Sequence, residues 1–221
     1  MELLLDTCDA GEIKRIGEVL EIDGVTTNPT ILTKAHRWVA DAVADITQAM
    51  GEQVPIHVQA VGADYGGIME SALFLNQLRK NLYIKIPVTW DGLRAIRELA
   101  GQGVNVTATA VFTVHQGFLA AKSGAKYVAP YVNKLDNISG NGVGTVKQLI
   151  KVLDAYQLQT KVLAASFKNA QQVLELMVAG VHSATVTPEI AMAMAGHPLT
   201  DLCATEFFND WKSAFSGRMP I

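Results

Sequence analysis

The stretch Asn81-Leu-Tyr-Ile-Lys-Ile-Pro-Val-Thr89 decides how the fold and the chemistry of this chain are interpreted. Apart from Lys85, it is mostly apolar, β-branched or aromatic, which is typical of a strand covered on both faces. A lysine is out of place there, because an unpaired ammonium in an apolar setting costs free energy. Desolvation also leaves more of the free amine, the form that attacks a carbonyl carbon. Lys85 is therefore a candidate nucleophile; the alternative is a structural lysine that pairs with a carboxylate or extends to the end of the strand.

Short apolar runs alternate with helical patterns on both sides of this stretch. The predicted strands are Glu2–Asp6, Gly24–Thr27, Ile56–Val61, 81–89, Val104–Thr109, Lys126–Tyr131, Lys161–Ser166 and Ser183–Val186. Each is followed by a helical segment, and eight such units in 221 residues predict an α/β fold, a closed (β/α)8 TIM barrel. A doubly wound open sheet is the alternative. It normally has a glycine-rich turn after its first strand, and Asp-Thr-Cys-Asp at 6–9 is not one.

One catalytic domain is predicted over residues 1–198, followed by an extra C-terminal helix at 199–221. Within this C-terminal helix, residues 201–215 carry a wide apolar stripe at helical spacing, formed by Leu202, Phe207, Phe208, Trp211, Ala214 and Phe215. Two interpretations remain open at this point. The helix packs on its own barrel, or it lies across a neighbouring subunit.

Composition excludes several classes of function. A net charge of −3 gives no reason to propose nucleic acid or a membrane surface as a partner. The chain begins without a basic region ahead of a long apolar stretch, and no run of 18 uncharged apolar residues occurs, so we expect a cytoplasmic protein without a membrane span. The two cysteines and five histidines are scattered, so no metal and no cofactor are predicted. His57 shares the strand face of Gln59 and is predicted to be a core histidine that points into the barrel.

The active site of such a barrel lies at the carboxyl ends of its strands. The polar residues that the predicted strands deliver there are Asp6, Thr26, Thr27, Asn28, Gln59, Lys85, Thr107, Thr109, Tyr131, Asn133, Ser166, Thr185 and Thr187. Charged residues other than one lysine and one carboxylate are nearly absent. This favours a pocket that keeps Lys85 poorly solvated.

This set of residues suits amine catalysis. The Lys85 amine would add to a ketone, lose water to give an iminium ion and then accept electrons as a neighbouring carbon–carbon bond breaks or forms. Tyr131 and a water molecule held by Gln59 and Thr109 are candidates for moving protons, and Asp6 is placed near the substrate hydroxyls.

An anionic substrate group is suggested by Ser166-Phe167-Lys168, which precedes the helix predicted to begin at Ala170. A helix N-terminus offers free N–H groups to a phosphate. Lys134, beyond the sixth strand, would add a second cation.

Five motifs also resemble those of a known family. They are Met-Glu-Leu-Leu-Leu-Asp-Thr at 1–7, Gly-Val-Thr-Thr-Asn-Pro at 24–29, Lys-Ile-Pro-Val-Thr at 85–89, Tyr-Val-Ala-Pro-Tyr-Val-Asn at 127–133 and Val-Leu-Ala-Ala-Ser-Phe-Lys at 162–168. Over essentially its whole length the chain resembles the small transaldolase-like enzymes, and most closely the fructose-6-phosphate aldolases. The resemblance implies a class I aldolase that cleaves fructose 6-phosphate to dihydroxyacetone and glyceraldehyde 3-phosphate.

The resemblance also implies roles for individual residues. Lys85 would form the Schiff base, with Asp6 acting at the sugar hydroxyls. The remaining implied positions are Thr26 and Asn28 at the donor site, Gln59, Thr109 and Tyr131 around the catalytic water, and Ser166 with Lys134 at the acceptor phosphate. It further implies a homo-oligomer, commonly a decamer of two pentamers in which the C-terminal helix reaches a neighbour.

The chain departs from the family pattern at some positions. True transaldolases typically have glutamate at the position of Gln59 and phenylalanine at that of Tyr131, so these residues favour the aldolase branch over the alternative of a transaldolase that passes a dihydroxyacetone unit between sugar phosphates. Lys134 stands where arginine is usual, and gives up bidentate phosphate contact. Phe112 and Ala108 replace an expected tyrosine and glycine. A non-catalytic sugar-phosphate-binding barrel is the third hypothesis.

Overall fold

The computed structural model describes residues 1–216 and residue 218. Residue 217 and residues 219–221 of the predicted C-terminal segment lie outside the described residues. The strands are β1 (Glu2–Asp6), β2 (Gly24–Thr26), β3 (Ile56–Gln59), β4 (Leu82–Pro87), β5 (Val106–Val111), β6 (Tyr127–Pro130), β7 (Lys161–Ala164) and β8 (Ser183–Val186). All eight pair in parallel with their sequence neighbours, and β8 pairs with β1 to close the barrel. The predicted (β/α)8 fold is confirmed, and the open-sheet alternative is wrong.

The helices follow the strands in the expected order. They are α1 (Ala10–Gly17), α2 (Pro29–Lys34), α3 (Val39–Met50), α4 (Tyr65–Asn76), α5 (Trp90–Gly101), α6 (Val114–Lys122), α7 (Val132–Asp136), α8 (Gly142–Ala155), α9 (Ala170–Val178), α10 (Pro188–Ala195) and α11 (Pro198–Ala214). Sequence periodicity missed α2 and α7, which have six and five residues. A helix that short spans less than two turns, so an apolar stripe cannot repeat along it.

Most of the apolar core of the barrel lies in two separate regions. The larger one lies between the outer face of the sheet and the helices, and includes Leu5, Ile84 and Leu149. The smaller one fills the barrel interior with Leu4, Ala129, Leu163, Tyr127 and the partly buried Tyr83. His57 stacks on Tyr83 inside this second region, which confirms the prediction that it points inward.

Helix α11 contrasts with the other long helices, because none of its residues is buried. Phe207 is 70% exposed and Phe208 is 57% exposed, although both belong to the apolar stripe seen in the sequence. The described residues of α11 therefore leave the apolar stripe exposed, and contact of this helix with a neighbouring subunit stays a prediction. No helix in the described part of the chain is both long enough and apolar enough to cross a membrane.

Candidate active site

A cavity of about 450 Å³ opens at the carboxyl ends of the strands. Eight of the predicted residues line it, and they are Asp6, Asn28, Gln59, Lys85, Tyr131, Lys134, Ser166 and Thr185. Seven others do not, and they are Thr26, Thr27, Thr107, Thr109, Asn133, Lys168 and Thr187. The barrel thus brings the candidate nucleophile Lys85, the Asp6 carboxylate and the predicted phosphate contacts to one cavity.

Lys85 lies on β4, and only 5% of it is exposed. Its Nζ donates a hydrogen bond to the backbone carbonyl oxygen of Thr27 at 2.8 Å. Burial lowers the pKa of the Lys85 amine, and the charge of Asp6 opposes this effect without cancelling it. The hydrogen-bonding partner of the lysine is thus a neutral carbonyl rather than the carboxylate of a structural ion pair, which favours the free amine.

Asp6, at the end of β1, is oriented by two threonines. Thr26 Oγ1 donates to Asp6 Oδ1 at 2.6 Å. Thr26 Oγ1 also lies 2.7 Å from Thr185 Oγ1 on β8. Since the hydroxyl hydrogen of Thr26 is used by the carboxylate, Thr185 is the donor in the second contact. Thr26 therefore acts behind the cavity wall, and holds the Asp6 carboxylate toward it.

Tyr131 and Thr109 form the second polar group of the site. Tyr131 caps α7 at the end of β6, and its hydroxyl lies 3.1 Å from Thr109 Oγ1. Burial raises the pKa of Tyr131, so the phenol stays neutral and can both donate and accept a hydrogen bond. A register shift in β5 between Ala108 and Val111 accompanies the positive φ of 55° at Ala110, which lines the cavity. This irregularity lies next to Thr109, and bulges of this kind re-aim side chains at the rims of barrels.

The anion side of the cavity is formed by the ends of β6 and β7. Lys134 Nζ lies 5.0 Å from the centre of the Tyr131 ring. Ser166 follows β7 with a positive φ of 61°, a backbone strain that non-glycine residues carry at functional positions more often than elsewhere. A cation and a hydroxyl on the same side of the cavity suit a phosphate.

Three predicted substrate contacts lie elsewhere. Thr107 is fully buried and is bonded to His57 inside the barrel, one layer below the cavity. Asn133 is part of α7 rather than of a sixth strand, so the helical turn carries it away from the cavity lining. Lys168 is exposed, and its backbone N–H is used by Gln172 Oε1.

Sequence reasoning missed two residues that line the cavity, Thr30 and Lys34 on α2. The sequence does contain a signal for the start of α2, because Asn28 followed by Pro29 is a helix-start pattern. Asn28 Oδ1 accepts from the backbone N–H of Ile31 at 3.0 Å as the N-cap. Within the described residues, no group of three or more histidines, cysteines and carboxylates is placed to hold a metal ion.

Comparisons with known proteins agree with this geometry. A family model described as Transaldolase/Fructose-6-phosphate aldolase matches residues 3–216. A probable transaldolase of Geotalea uraniireducens (strain Rf4) is 37% identical over 212 residues, which cover 96% of this chain and 98% of that protein.

Two solved structures share the fold. A cube-shaped protein cage designed by fusing symmetric oligomeric domains matches with a TM-score of 0.62 at 18% identity, covering 98% of this chain and 78% of that one. A structure described as native KDPGal matches with a TM-score of 0.59 at 18% identity, covering 92% of this chain and 95% of that one. At this identity the likeness concerns the barrel alone.

The buried amine predicts a pH-dependent stability difference. In the unfolded chain Lys85 titrates near its ordinary pKa of about 10.4, whereas burial lowers the pKa in the folded protein. At a pH between the folded-state and unfolded-state pKa of Lys85, folding therefore releases a proton. The free-energy cost of releasing it diminishes as pH rises toward the unfolded-state pKa. Lys85→Met should stabilise the protein most at the acidic end of this window, and the gain should fall by about 1.4 kcal/mol for each pH unit of rise through it.

Urea unfolding of both proteins between pH 6 and pH 10 measures this difference. Lys14→Met, on the exposed side of α1, is the control for removal of one positive charge. A gain for Lys85→Met that is the same at every pH would contradict the lowered pKa.

Proposed function

Because the chain belongs to the transaldolase/fructose-6-phosphate aldolase family, we propose that it is a class I aldolase that cleaves and forms fructose 6-phosphate, with Lys85 as its Schiff-base lysine. The observation that carries the proposal is the Lys85 amine, buried on β4 at the floor of the cavity and hydrogen-bonded to a carbonyl. Dihydroxyacetone-type donors and aldehyde phosphates are the proposed partners. A cytoplasmic location stays a prediction.

Formation of the covalent intermediate begins with addition of the Lys85 amine to C2 of the ketose. The carbinolamine loses its hydroxyl as water, and an iminium ion remains on the enzyme. Tyr131, paired with Thr109, would supply and recover the proton through a water molecule that Gln59 also contacts. The raised pKa keeps the phenol neutral, so its hydroxyl can donate one hydrogen bond and accept another and thereby orient this water molecule.

Carbon–carbon cleavage follows when the C4 hydroxyl gives up its proton to the Asp6 carboxylate. Asp6 lines the cavity and accepts a hydrogen bond from Thr26. This hydrogen bond would direct the carboxylate toward the substrate hydroxyls. As the C3–C4 bond breaks, its electrons move to the iminium nitrogen, glyceraldehyde 3-phosphate leaves and an enamine remains. Protonation of the enamine and hydrolysis of the resulting iminium release dihydroxyacetone and the free amine.

The phosphate of the acceptor would lie against Ser166 and Lys134. Both residues line the cavity on the side of β6 and β7, away from the Asp6 and Thr26 pair of β1 and β2. The donor and acceptor ends of the substrate are then on different sides of Lys85. A lysine at 134 would contact phosphate as a single point charge, without the bidentate hydrogen bonds that an arginine can donate.

A transaldolase is the second candidate, and the Geotalea protein described as a probable transaldolase favours it. The two reactions differ only after the enamine has formed. An aldolase hydrolyses the iminium and releases the donor, whereas a transaldolase holds it until a second aldehyde phosphate arrives. Gln59 and Tyr131 support the aldolase, since the transaldolase pattern stated above has glutamate and phenylalanine at these positions.

Borohydride trapping tests the lysine directly. Wild-type protein treated with dihydroxyacetone and borohydride should gain the mass of one reduced donor unit, and Lys85→Met should gain none. Lys34→Met, which removes another lysine of the cavity lining, is the matched control and should keep the adduct. A folded wild-type protein without an adduct would rule out the Schiff-base mechanism and would favour a binding protein. Intact mass spectrometry reads all three proteins.

The double variant Gln59→Glu with Tyr131→Phe tests the choice between the two reactions. It should lose release of free dihydroxyacetone and keep transfer, so the ratio of transfer to cleavage should rise about tenfold, equivalent to about 1.4 kcal/mol of relative barrier. Fructose 6-phosphate is assayed with and without an added aldose phosphate. An unchanged ratio would remove these two residues as determinants, and a wild-type enzyme that releases no donor would establish the transaldolase.

We also propose that the protein is a homo-oligomer, in the form of a decamer of two pentamers, with α11 against a neighbouring subunit. Support comes from the exposed aromatic stripe, in which the Trp211 and Phe215 ring centres are 4.5 Å apart. A contiguous exposed apolar patch of this kind is typical of a protein–protein contact.

Mass photometry of wild type should give about ten times the 23.8 kDa chain mass. Replacing Phe207 and Phe208 by aspartate should shift the protein to smaller species, because a buried contact would then carry two charges. Glu206→Lys changes charge on the same helix without touching the stripe, and is the control. A monomeric wild type would contradict the proposal.

A further inference from the structure

His57 lies directly below the reacting lysine. In the barrel register His57 is beside Tyr83, Gln59 is beside Lys85, and Lys85 is beside Thr107. Residues two apart on a strand face the same side, so these side chains all point inward. The hydrogen bond between His57 Nδ1 and Thr107 Oγ1, with its atoms 2.8 Å apart, therefore crosses β4 between Tyr83 and Lys85. His57 and Thr107 thus form one layer of side chains beneath the Lys85 amine, which we call the floor.

Aromatic rings continue this floor toward the opposite mouth of the barrel. The His57 ring stacks on Tyr83 with centroids 4.6 Å apart and an interplanar angle of 16°. It meets Tyr127 edge-on, with centroids 5.0 Å apart. Beyond the rings, the Tyr127 hydroxyl donates to Glu2 at 3.0 Å, and Glu2 pairs with the partly exposed Lys161. Three packed rings thus separate the amine from a solvated ion pair.

The floor is polar but uncharged. Burial and the neighbouring charge of Lys85 lower the pKa of His57 to about 3, so the imidazole is neutral at working pH. Its Nε2 is buried and has no hydrogen-bond partner within the described protein. Any space opened beside this nitrogen and the Thr107 hydroxyl would be polar enough to take up water.

We propose that His57, together with Thr107, is a positioning residue that seals the amine of Lys85 from water on the interior side of the barrel. The inference rests on the proposed role of Lys85 as the Schiff-base lysine. Water admitted to this layer would solvate the ammonium and favour it over the reactive free amine. The catalytic cavity and the barrel interior then meet Lys85 from opposite sides, and only the cavity side admits water and substrate.

The groups facing Lys85 can be enumerated from each element. Asp6 faces it from β1, His57 and Gln59 from β3, Thr107 from β5 and Tyr131 from the end of β6. Asp6 is the one carboxylate among these, and it lies on the cavity side. No variant tested below alters Asp6, so a change in the titration of Lys85 would report on the floor.

The experiment measures how fast dihydroxyacetone and cyanoborohydride trap the protein between pH 5 and pH 10, read by intact mass. The midpoint of the rate against pH reports the fraction of free amine. His57→Ala opens a space below Lys85, and its midpoint should move upward by about one pH unit, a fraction of the shift that full burial produces. If the variant were only less stable, less protein would be trapped. The molecules that remain folded would still show the wild-type pH midpoint of the trapping rate.

The double variant His57→Phe with Thr107→Val is the matched control. It fills the same space with apolar groups and leaves neither partner of the lost hydrogen bond unpaired. Its midpoint should equal that of wild type. The proposal is overturned if His57→Ala keeps the wild-type midpoint, or if the filled double variant shifts as far as His57→Ala.

A milder variant keeps the inference testable if His57→Ala does not fold. Thr107→Val keeps its volume but leaves His57 Nδ1 unpaired, so it should draw water and give a smaller upward shift; an unchanged midpoint there would also overturn the proposal. Failure of the Schiff-base assignment is distinguishable, because the wild type itself would then form no adduct. An adduct in wild type with identical midpoints in all variants would overturn the inference alone.

Discussion

The structure depends on keeping one amine poorly solvated inside a strand that is otherwise apolar. A desolvated ammonium is costly, and the fold meets this cost by favouring the free amine rather than by pairing Lys85 with a carboxylate. The contact at Lys85 Nζ is a backbone carbonyl, and the nearest layer below holds a neutral imidazole. The same arrangement that destabilises the charged lysine makes the uncharged one a nucleophile, so the stability cost and the reactivity have one physical source.

The closed barrel then supplies the remaining groups without adding charge. Threonines perform most of the orientation, because a hydroxyl can donate to one neighbour and accept from another. Thr185 donates to Thr26, which donates to Asp6, so a chain across three strands aims a single carboxylate. Thr109 supports Tyr131 in the same way on the other side. Neither pair would be stable in water, where each hydroxyl would bond to solvent instead.

The sequence predicted the features that repeat and missed those that depend on one turn of chain. Apolar runs spaced by helical patterns were enough for the barrel, and the polar residues at strand ends were enough to find Asp6, Gln59, Lys85 and Ser166 in the cavity. Asn133 was misplaced because α7 begins at Val132, directly after the sixth strand, so a helical turn rather than extended chain sets its direction. A helix of five residues is selected by contacts with the rest of the barrel rather than by its own periodicity.

Alternation along a strand identifies which side chains point inward, but not how far along the barrel axis each one lies. Thr107 and Thr109 share a strand face, yet only Thr109 reaches the layer of Tyr131, while Thr107 pairs with His57 below. The tilt of strands in a closed barrel staggers equivalent residues, so neighbouring register positions on different strands fall in different layers. Depth is therefore a property of the closed sheet. This is why two threonines that look alike in the sequence have different contacts: Thr109 supports Tyr131 behind the cavity, and Thr107 bonds to His57 in the layer beneath.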